Sequence, residues 1–365
     1  MTMHEIAAFR DGLRAWLDAN DLTPPPDDSL DGQVAQLLQV RKALFDADWM
    51  RYGWPAEVGG LGGPAALRAV LGEEVATRDL AEPGIWSMIE VLAPTMISYA
   101  PPALAARMVP LLLSGSEQWC QGFSEPGSGS DLASLSTTAT PRGADWVISG
   151  QKVWTSLAQY ASRCVLLTRT GPGHDGITAF FVDMDTPGIT VRPLRTMHGV
   201  DEFAEVFFDE VVVPGERLLG APGDGWRIAM DLLPHERSTC FWHRIAYLFT
   251  RLDRVLPQAD AYDDDALGAA YLALHTVRCR SLGTQRRLAG GARLGPETSI
   301  DKVLLAGAEQ QLFDLARDLL PGAVELDEGP WRTEFLYSRA ATIYGGTAEI
   351  QRNIIARRLL DLGKE

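Results

Sequence analysis

The sequence reads as an α+β protein, helical at both ends with a β-rich stretch between. Three observations carry that reading: apolar residues at helical spacing early in the chain, short β-prone runs bounded by Gly, Pro and Asp in the middle, and long helical patterns after Pro222-Gly223-Asp224-Gly225. No alternation of strand and helix and no internal repeat intervenes, which argues against a doubly wound sheet.

The first helical patterns cover residues 4 to 20 and 31 to 49, the second through Val34, Leu37, Leu38, Val40, Leu44 and Trp49, with the breaker Pro24-Pro25-Pro26-Asp27-Asp28 between them. A turn, Gly59-Gly60-Leu61-Gly62-Gly63-Pro64, leads to further helical patterns over 64 to 78 and 87 to 114. From about Gln118 the period changes, and Trp146-Val147-Ile148, Cys164 to Leu167, Ile177 to Val182 and Val206-Phe207-Phe208 read as strands. Helical stretches return near 225 to 257, 264 to 289, 297 to 320 and 347 to 362. The predicted domains are therefore 1–116 (helical), 117–222 (β) and 223–365 (a helical bundle).

Composition narrows the function. The 365 residues are 46% hydrophobic and 22% charged, which excludes a disordered chain. A net charge of -15 gives no bulk attraction to nucleic acid or to an anionic membrane, so neither is an expected partner. The longest apolar stretches, such as Val109–Leu113 and Cys164–Leu167, are far shorter than the ~20 residues of a membrane span, and no basic-then-apolar signal opens the chain. The expected location is cytoplasmic. Cys120, Cys164, Cys240 and Cys279 are well separated and form no CxxC, so reduced thiols are expected.

Several common chemistries lack their motifs. Gly127-Ser128-Gly129-Ser130-Asp131-Leu132 satisfies neither the Rossmann nor the P-loop pattern, although Ser124 to Asp131 offers consecutive backbone N–H groups suited to a pyrophosphate or carbonyl oxygen. By itself the segment reads as a polar turn. On one helix, Cys240 and His243 would point about 140° and 80° away from His235, so no metal ligand set is predicted. A nucleophile elbow is also missing. In Leu232-Leu233-Pro234-His235-Glu236-Arg237, a helix would place Glu236 on the apolar stripe of Leu232, Cys240 and Tyr247, where desolvation raises a carboxyl pKa toward that of a useful base. Its plain alternative is a first-turn Glu favoured by the helix dipole, since Pro234 can start a helix there.

Three motifs occur in order: Trp119 to Asp131 (WCQGFSEPGSGSD), Gly150 to Ser156 (GQKVWTS) and Tyr344 to Arg352 (YGGTAEIQR). With Trp54-Pro55, Gly59-Gly60 and Val211-Val212-Val213-Pro214, they make the chain resemble the acyl-CoA dehydrogenase family over nearly its whole length. That resemblance implies an N-terminal helical domain, a middle β-barrel-like domain and a C-terminal four-helix bundle, with FAD between the β domain and the C-terminal helices. It implies that Gln121, Phe123 and Ser124 line the isoalloxazine ring, that Gly129 and Ser130 approach the pyrophosphate, with Ser130 also near the acyl-CoA, and that Trp154 packs on the flavin. Ser156 would bond near flavin N5, while Thr347 and Glu349 would contact the cofactor. The plain readings of that last pair are an N-cap and a dipole-favoured first-turn acid.

Many members carry the catalytic Glu immediately before the Gly-Thr of the last motif, where this chain has Gly345. A subset including isovaleryl-CoA and long-chain acyl-CoA dehydrogenases instead carries Glu-Arg on the helix after the β domain, and Glu236-Arg237 resembles that arrangement. The resemblance thus implies α,β-dehydrogenation of an acyl thioester, on CoA or an acyl-carrier protein, with Glu236 as α-proton base, flavin N5 as hydride acceptor, and Arg237 and Gly345 beside the substrate. Gly345 leaves volume suited to a branched or bulky acyl group. Implied partners are an electron-transfer flavoprotein and either further copies or a related chain. The family's R-x-x-F-G and Gln-x-x-Gly-Gly-x-Gly segments, which reach a neighbouring subunit's FAD, are not recognisable; Asp260 to Asp265 and Leu320-Pro321-Gly322-Ala323 stand in roughly those places. Two other classes share these features: a non-catalytic or half-site subunit of a heteromeric acyl-CoA dehydrogenase, and a flavin oxidase or monooxygenase of the same fold.

Overall fold

The computed structural model describes residues 3–23, 29–259, 264–327 and 329–363. The Pro24 to Asp28 breaker and the start of the Asp260 to Asp265 stretch lie outside the described residues.

Among the described residues six α-helices come first: α1 (Met3–Ala19), α2 (Leu30–Asp46), α3 (Ala66–Thr77), α4 (Pro83–Ser87), α5 (Ile89–Tyr99) and α6 (Pro102–Leu113). The helical pattern predicted over 87 to 114 is thus split at Ala100-Pro101, because a residue before proline is pushed out of the helical region. Eight strands follow: β1 (Trp119–Gly122), β2 (Thr138–Arg142), β3 (Asp145–Ser156), β4 (Arg163–Arg169), β5 (Ile177–Asp183), β6 (Ile189–Leu194), β7 (Phe203–Pro214) and β8 (Leu218–Leu219). They form one sheet in the order β6-β7-β3-β2-β4-β5-β8, with β1 parallel to β4. That pairing sets Cys120 beside Cys164, both buried and unbridged.

The last six helices are α7 (Gly225–Glu236), α8 (Thr239–Val255), α9 (Asp264–Ala289), α10 (Thr298–Leu319), α11 (Pro330–Ser338) and α12 (Ala348–Ile354), the last continuing as a single π-helical turn over Ile355–Leu359. The single helix expected over 225 to 257 is two. Arg237 caps α7, and Ser238 leaves helical geometry at φ -117°, ψ -98°, turning its hydroxyl back onto His235 O at 2.8 Å.

Three apolar cores result. One joins α1 to α6 with Val165 and Phe181 of the sheet and with Ile228, Ala229 and Leu232 of α7. A second fills the bundle of α8, α9 and α10, and a third holds the opposite face of the sheet around Ile148, Phe180 and Phe208. Helix α7 joins the first core through Ile228, Ala229 and Leu232 and ends on Glu236.

Candidate active site

The first two motifs meet across the β domain. Val153 N–H donates to Ser124 O at 2.9 Å, and the buried Lys152 ammonium donates to Phe123 O at 3.1 Å and Glu125 Oε1 at 2.8 Å. Glu125 also accepts from Ser136 N (2.6 Å), Ser136 Oγ (2.8 Å) and Thr137 N (2.9 Å). Burial opposes ionisation of Glu125, but the Lys152 ammonium and these amides outweigh it and hold its carboxyl down at about 2. Motif residues for which no role was expected thus lock the turn that follows. Ser128 Oγ closes that turn onto Asp131 O at 2.8 Å, leaving Gly129 and Ser130 exposed with open space where a Gly127 or Gly129 Cβ would stand.

On β3 the register slips between Lys152 and Thr155, and Trp154 takes φ 60°, a left-handed conformation unusual for an aromatic residue. Such a backbone costs on the order of 1–3 kcal/mol and persists only where its surroundings enforce it. The result is an indole 60% exposed, edge-on to Phe203 at 6.0 Å. Ser156, half-buried, pairs with Phe203 on β7; Phe123 is buried and Ser124 half-buried on the facing segment.

Glu236 is the last residue of α7, so neither the first-turn reading nor the apolar stripe holds: Leu232 lies on α7, whereas Cys240 and Tyr247 lie on α8 beyond the break. The carboxylate is half-buried, and Gln121 Nε2 donates to its Oε1 at 2.7 Å. Its other oxygen, Oε2, lies 3.9 Å from the point where a Cβ on Gly345 would stand. Gly345 itself has φ 63°. Arg237 Nη2 donates to Gly345 O at 3.1 Å, and Gln351 Nε2 donates to the carbonyls of Gly345 and Gly346, both at 3.3 Å. Opposite them, Lys302 Nζ donates to Ala341 O at 2.7 Å and stands 4.0 Å from the same Cβ point.

Gln121, Glu236, Arg237 and Gly345 are therefore brought together from β1, α7 and the turn before α12. Lys302 and Gln351 belong to the same cluster and were not anticipated. Gln351 stands in the YGGTAEIQR motif without a role attached to it, and Lys302 was only a polar residue inside an amphipathic helical pattern, which does not distinguish a buried face from a solvated one. Thr347 caps α12, its hydroxyl accepting from Ile350 N at 3.2 Å, while Glu349 is 78% exposed beside Arg352 at 3.8 Å, away from the cluster. His235 lines a cleft with Tyr99, Asp231 and Leu294, while Cys240 Sγ lies 3.4 Å from Ser87 O and His243 Nδ1 lies 3.1 Å from Ser87 Oγ. Desolvation lowers both histidines to about 4, so each imidazole is neutral.

Residues 120–211 match the acyl-CoA dehydrogenase middle-domain family model, and 223–360 the acyl-CoA dehydrogenase C-terminal-domain model. The chain is 38% identical over 387 aligned residues to acyl-CoA dehydrogenase IpdE1 of Mycobacterium tuberculosis, an alignment covering 100% of this chain and 99% of that one. It is 36% identical to acyl-CoA dehydrogenase FadE34 of the same organism, over 90% of this chain and 47% of the relative. Among solved structures, the ChsE4-ChsE5 complex from Mycobacterium tuberculosis superposes with a TM-score of 0.85 at 26% identity, over 100% of this chain and 99% of that chain. The Tcur3481-Tcur3483 steroid ACAD superposes at 0.87 and 24% identity over 100% and 99%, a likeness of fold.

Proposed function

The chain belongs to the acyl-CoA dehydrogenase family of FAD-dependent oxidoreductases, and from that we propose that Glu236 is the base that takes the α-proton of an acyl thioester during its α,β-dehydrogenation. One observation carries the assignment. Glu236 Oε2 sits 3.9 Å from where a residue 345 side chain would begin, so this carboxylate serves the place from which the other family arrangement would launch its own Glu.

FAD supplies, when bound, the oxidant for the hydrogen that leaves the β-carbon. The residues present suit it. Gln121 Oε1 is buried without a partner, the Trp154 indole offers an exposed flat face, and the turn around Gly127 and Gly129 has room for a close approach. Gln121, Phe123, Ser124, Trp154 and Ser156 would line the flavin, Gly129 and Ser130 its pyrophosphate, and Thr347 and Glu349 the rest of the cofactor. Gln121 does a second task by fixing Oε1 of Glu236, which leaves Oε2 turned to Gly345, where no side chain intervenes between the base and a substrate carbon. Arg237 holds the Gly345 carbonyl and with it the wall on which the acyl group, branched or bulky, would lie; Ser130 would meet the thioester carrier, CoA or an acyl-carrier protein.

Replacing Glu236 by Gln tests this, because it keeps shape and hydrogen bonding while removing the proton acceptor. Anaerobic stopped-flow reduction by straight, branched and steroid-like acyl-CoAs is expected to slow by at least ~10²-fold with FAD content unchanged. Reduction at the wild-type rate removes Glu236 from the mechanism, and loss of FAD in the variant makes its role structural.

A heteromer is the second reading, supported by the missing R-x-x-F-G and Gln-x-x-Gly-Gly-x-Gly segments and by the likeness to a chain of the ChsE4-ChsE5 complex. A related chain would then hold the adenine half of FAD, and an electron-transfer flavoprotein would collect the electrons.

A further inference from the structure

This chain uses arginine almost everywhere: of its 33 Lys and Arg residues only Lys42, Lys152, Lys302 and Lys364 are lysines. Two of them, Lys152 and Lys302, are buried. Lys152 is matched by Glu125 at 2.8 Å, whereas Lys302 makes no ion pair within 4.0 Å among the described residues. Its ammonium, only 2% exposed, donates to Ala341 O at 2.7 Å and rests 4.0 Å above the Tyr344 ring. Both bonds fall on the turn that ends in Gly345. The Cβ point of Gly345 lies within 4.0 Å of Lys302 Nζ on one side and of Glu236 Oε2 on the other. An uncompensated ammonium in this interior is costly unless charge nearby answers it.

We propose that Lys302 is a positioning residue for the base: it fixes the 341–345 turn against which Glu236 works, and its cation keeps the Glu236 carboxylate ionised when substrate excludes water. The inference rests on Glu236 being the base. The groups facing Lys302 are Glu236 and Arg237 from α7, Tyr344 from the turn, Phe241 from α8, and Glu309 one helical stretch along α10, which is itself paired with Arg244 of α8 at 2.9 Å. Burial brings the Lys302 ammonium down to about 8; Glu309 and Glu236 draw it up and Arg237 pushes it down.

Four lysines make the direct measurement simple. In protein labelled with [ε-13C]lysine, the Lys302 resonance, identified by its loss in Lys302→Met, is expected to titrate near pH 8 and to move to lower pH in Glu236→Gln, because the neighbouring carboxylate charge is gone. In flavin reduction, Lys302→Met is expected to keep KM and FAD content, lower kcat about tenfold, and shift the acid limb of the rate profile upward by about one pH unit, since more alkaline solution is then needed to keep the base ionised. Lys302→Arg retains the charge and returns the limb toward its wild-type position. A Lys302 titration identical in wild type and Glu236→Gln, or an unmoved acid limb in folded Lys302→Met, overturns the proposal. Should Lys302→Met fail to fold, the missing resonance of Lys302→Arg supplies the assignment and the comparison of wild type with Glu236→Gln still decides it. Failure of the base assignment looks different: Glu236→Gln would then reduce flavin at the wild-type rate.

Discussion

Glu125 and Lys152 stand in the first two of the three motifs that carry the family likeness, yet each charge is answered by the other. A buried pair of this kind is damaged by removing one partner, because the other is left as an uncompensated charge; the cost is about 3–5 kcal/mol. Glu125→Gln is therefore expected to lower stability by about 3 kcal/mol at pH 7 and to loosen the Gly127 to Ser130 turn, reducing FAD retention with it. The pH dependence has a definite sign. A carboxyl held at about 2 instead of its ordinary 4.5 stabilises the fold above the higher value and loses that contribution as pH falls between the two. Thermal unfolding of wild type and Glu125→Gln should thus differ most near neutrality and converge as pH approaches 2. A constant gap across that range would mean that the pair's charge contributes nothing.

Helix α3 meets α8 through a glycine. A Cβ on Gly72 would stand 2.1 Å from His243 Nε2, so the two helices are spaced by the absence of a side chain on one and a neutral, buried imidazole on the other. The imidazole is tied by Ser87 Oγ at the end of α4, which leaves it no room to swing aside. Gly72→Ala should destabilise by about 1–3 kcal/mol or more, measured by denaturant unfolding, even though alanine is the better helix former. Adding His243→Ala should recover part of the loss, because the pair is coupled through one contact. Simple additivity of the two substitutions would contradict this account. The break between α7 and α8 matters in the same way: it ends α7 on Glu236 and aims that side chain at Gln121 rather than along the bundle.

Across the whole molecule, Arg244 joins three regions, meeting Glu309 of α10 at 2.9 Å, Glu334 of α11 at 3.1 Å and the α4 cap Glu82 at 3.5 Å. The C-terminal end is left with exposed Leu360 and Leu362, and Ile343 is exposed on the turn before α12. Apolar residues so placed point to assembly, so Leu360→Glu with Leu362→Glu should shrink the particle seen by light scattering while leaving the melting temperature nearly unchanged. An unaltered mass would move the assembly surface elsewhere. The element types, their order and the two β motifs were legible in the sequence, because hydrophobic period and turn residues act over a few neighbours at a time. Glu236 was legible as a residue but not as a position: the stripe that recommended it is cut at Ser238, and what holds it is Gln121, 115 residues away. Lys302 and the α11 helix were not legible, since an amphipathic pattern says which side of a helix is apolar and not which neighbour it meets. The amino-acid order by itself determined a helical, β, helical chain whose β domain carries the first two motifs. Only the packing of three cores decided that β1, α7, α10 and the turn at Gly345 meet at one point, because convergence depends on how helices stack and strands register across long separations, where the free energy is shared among many contacts and none is written locally.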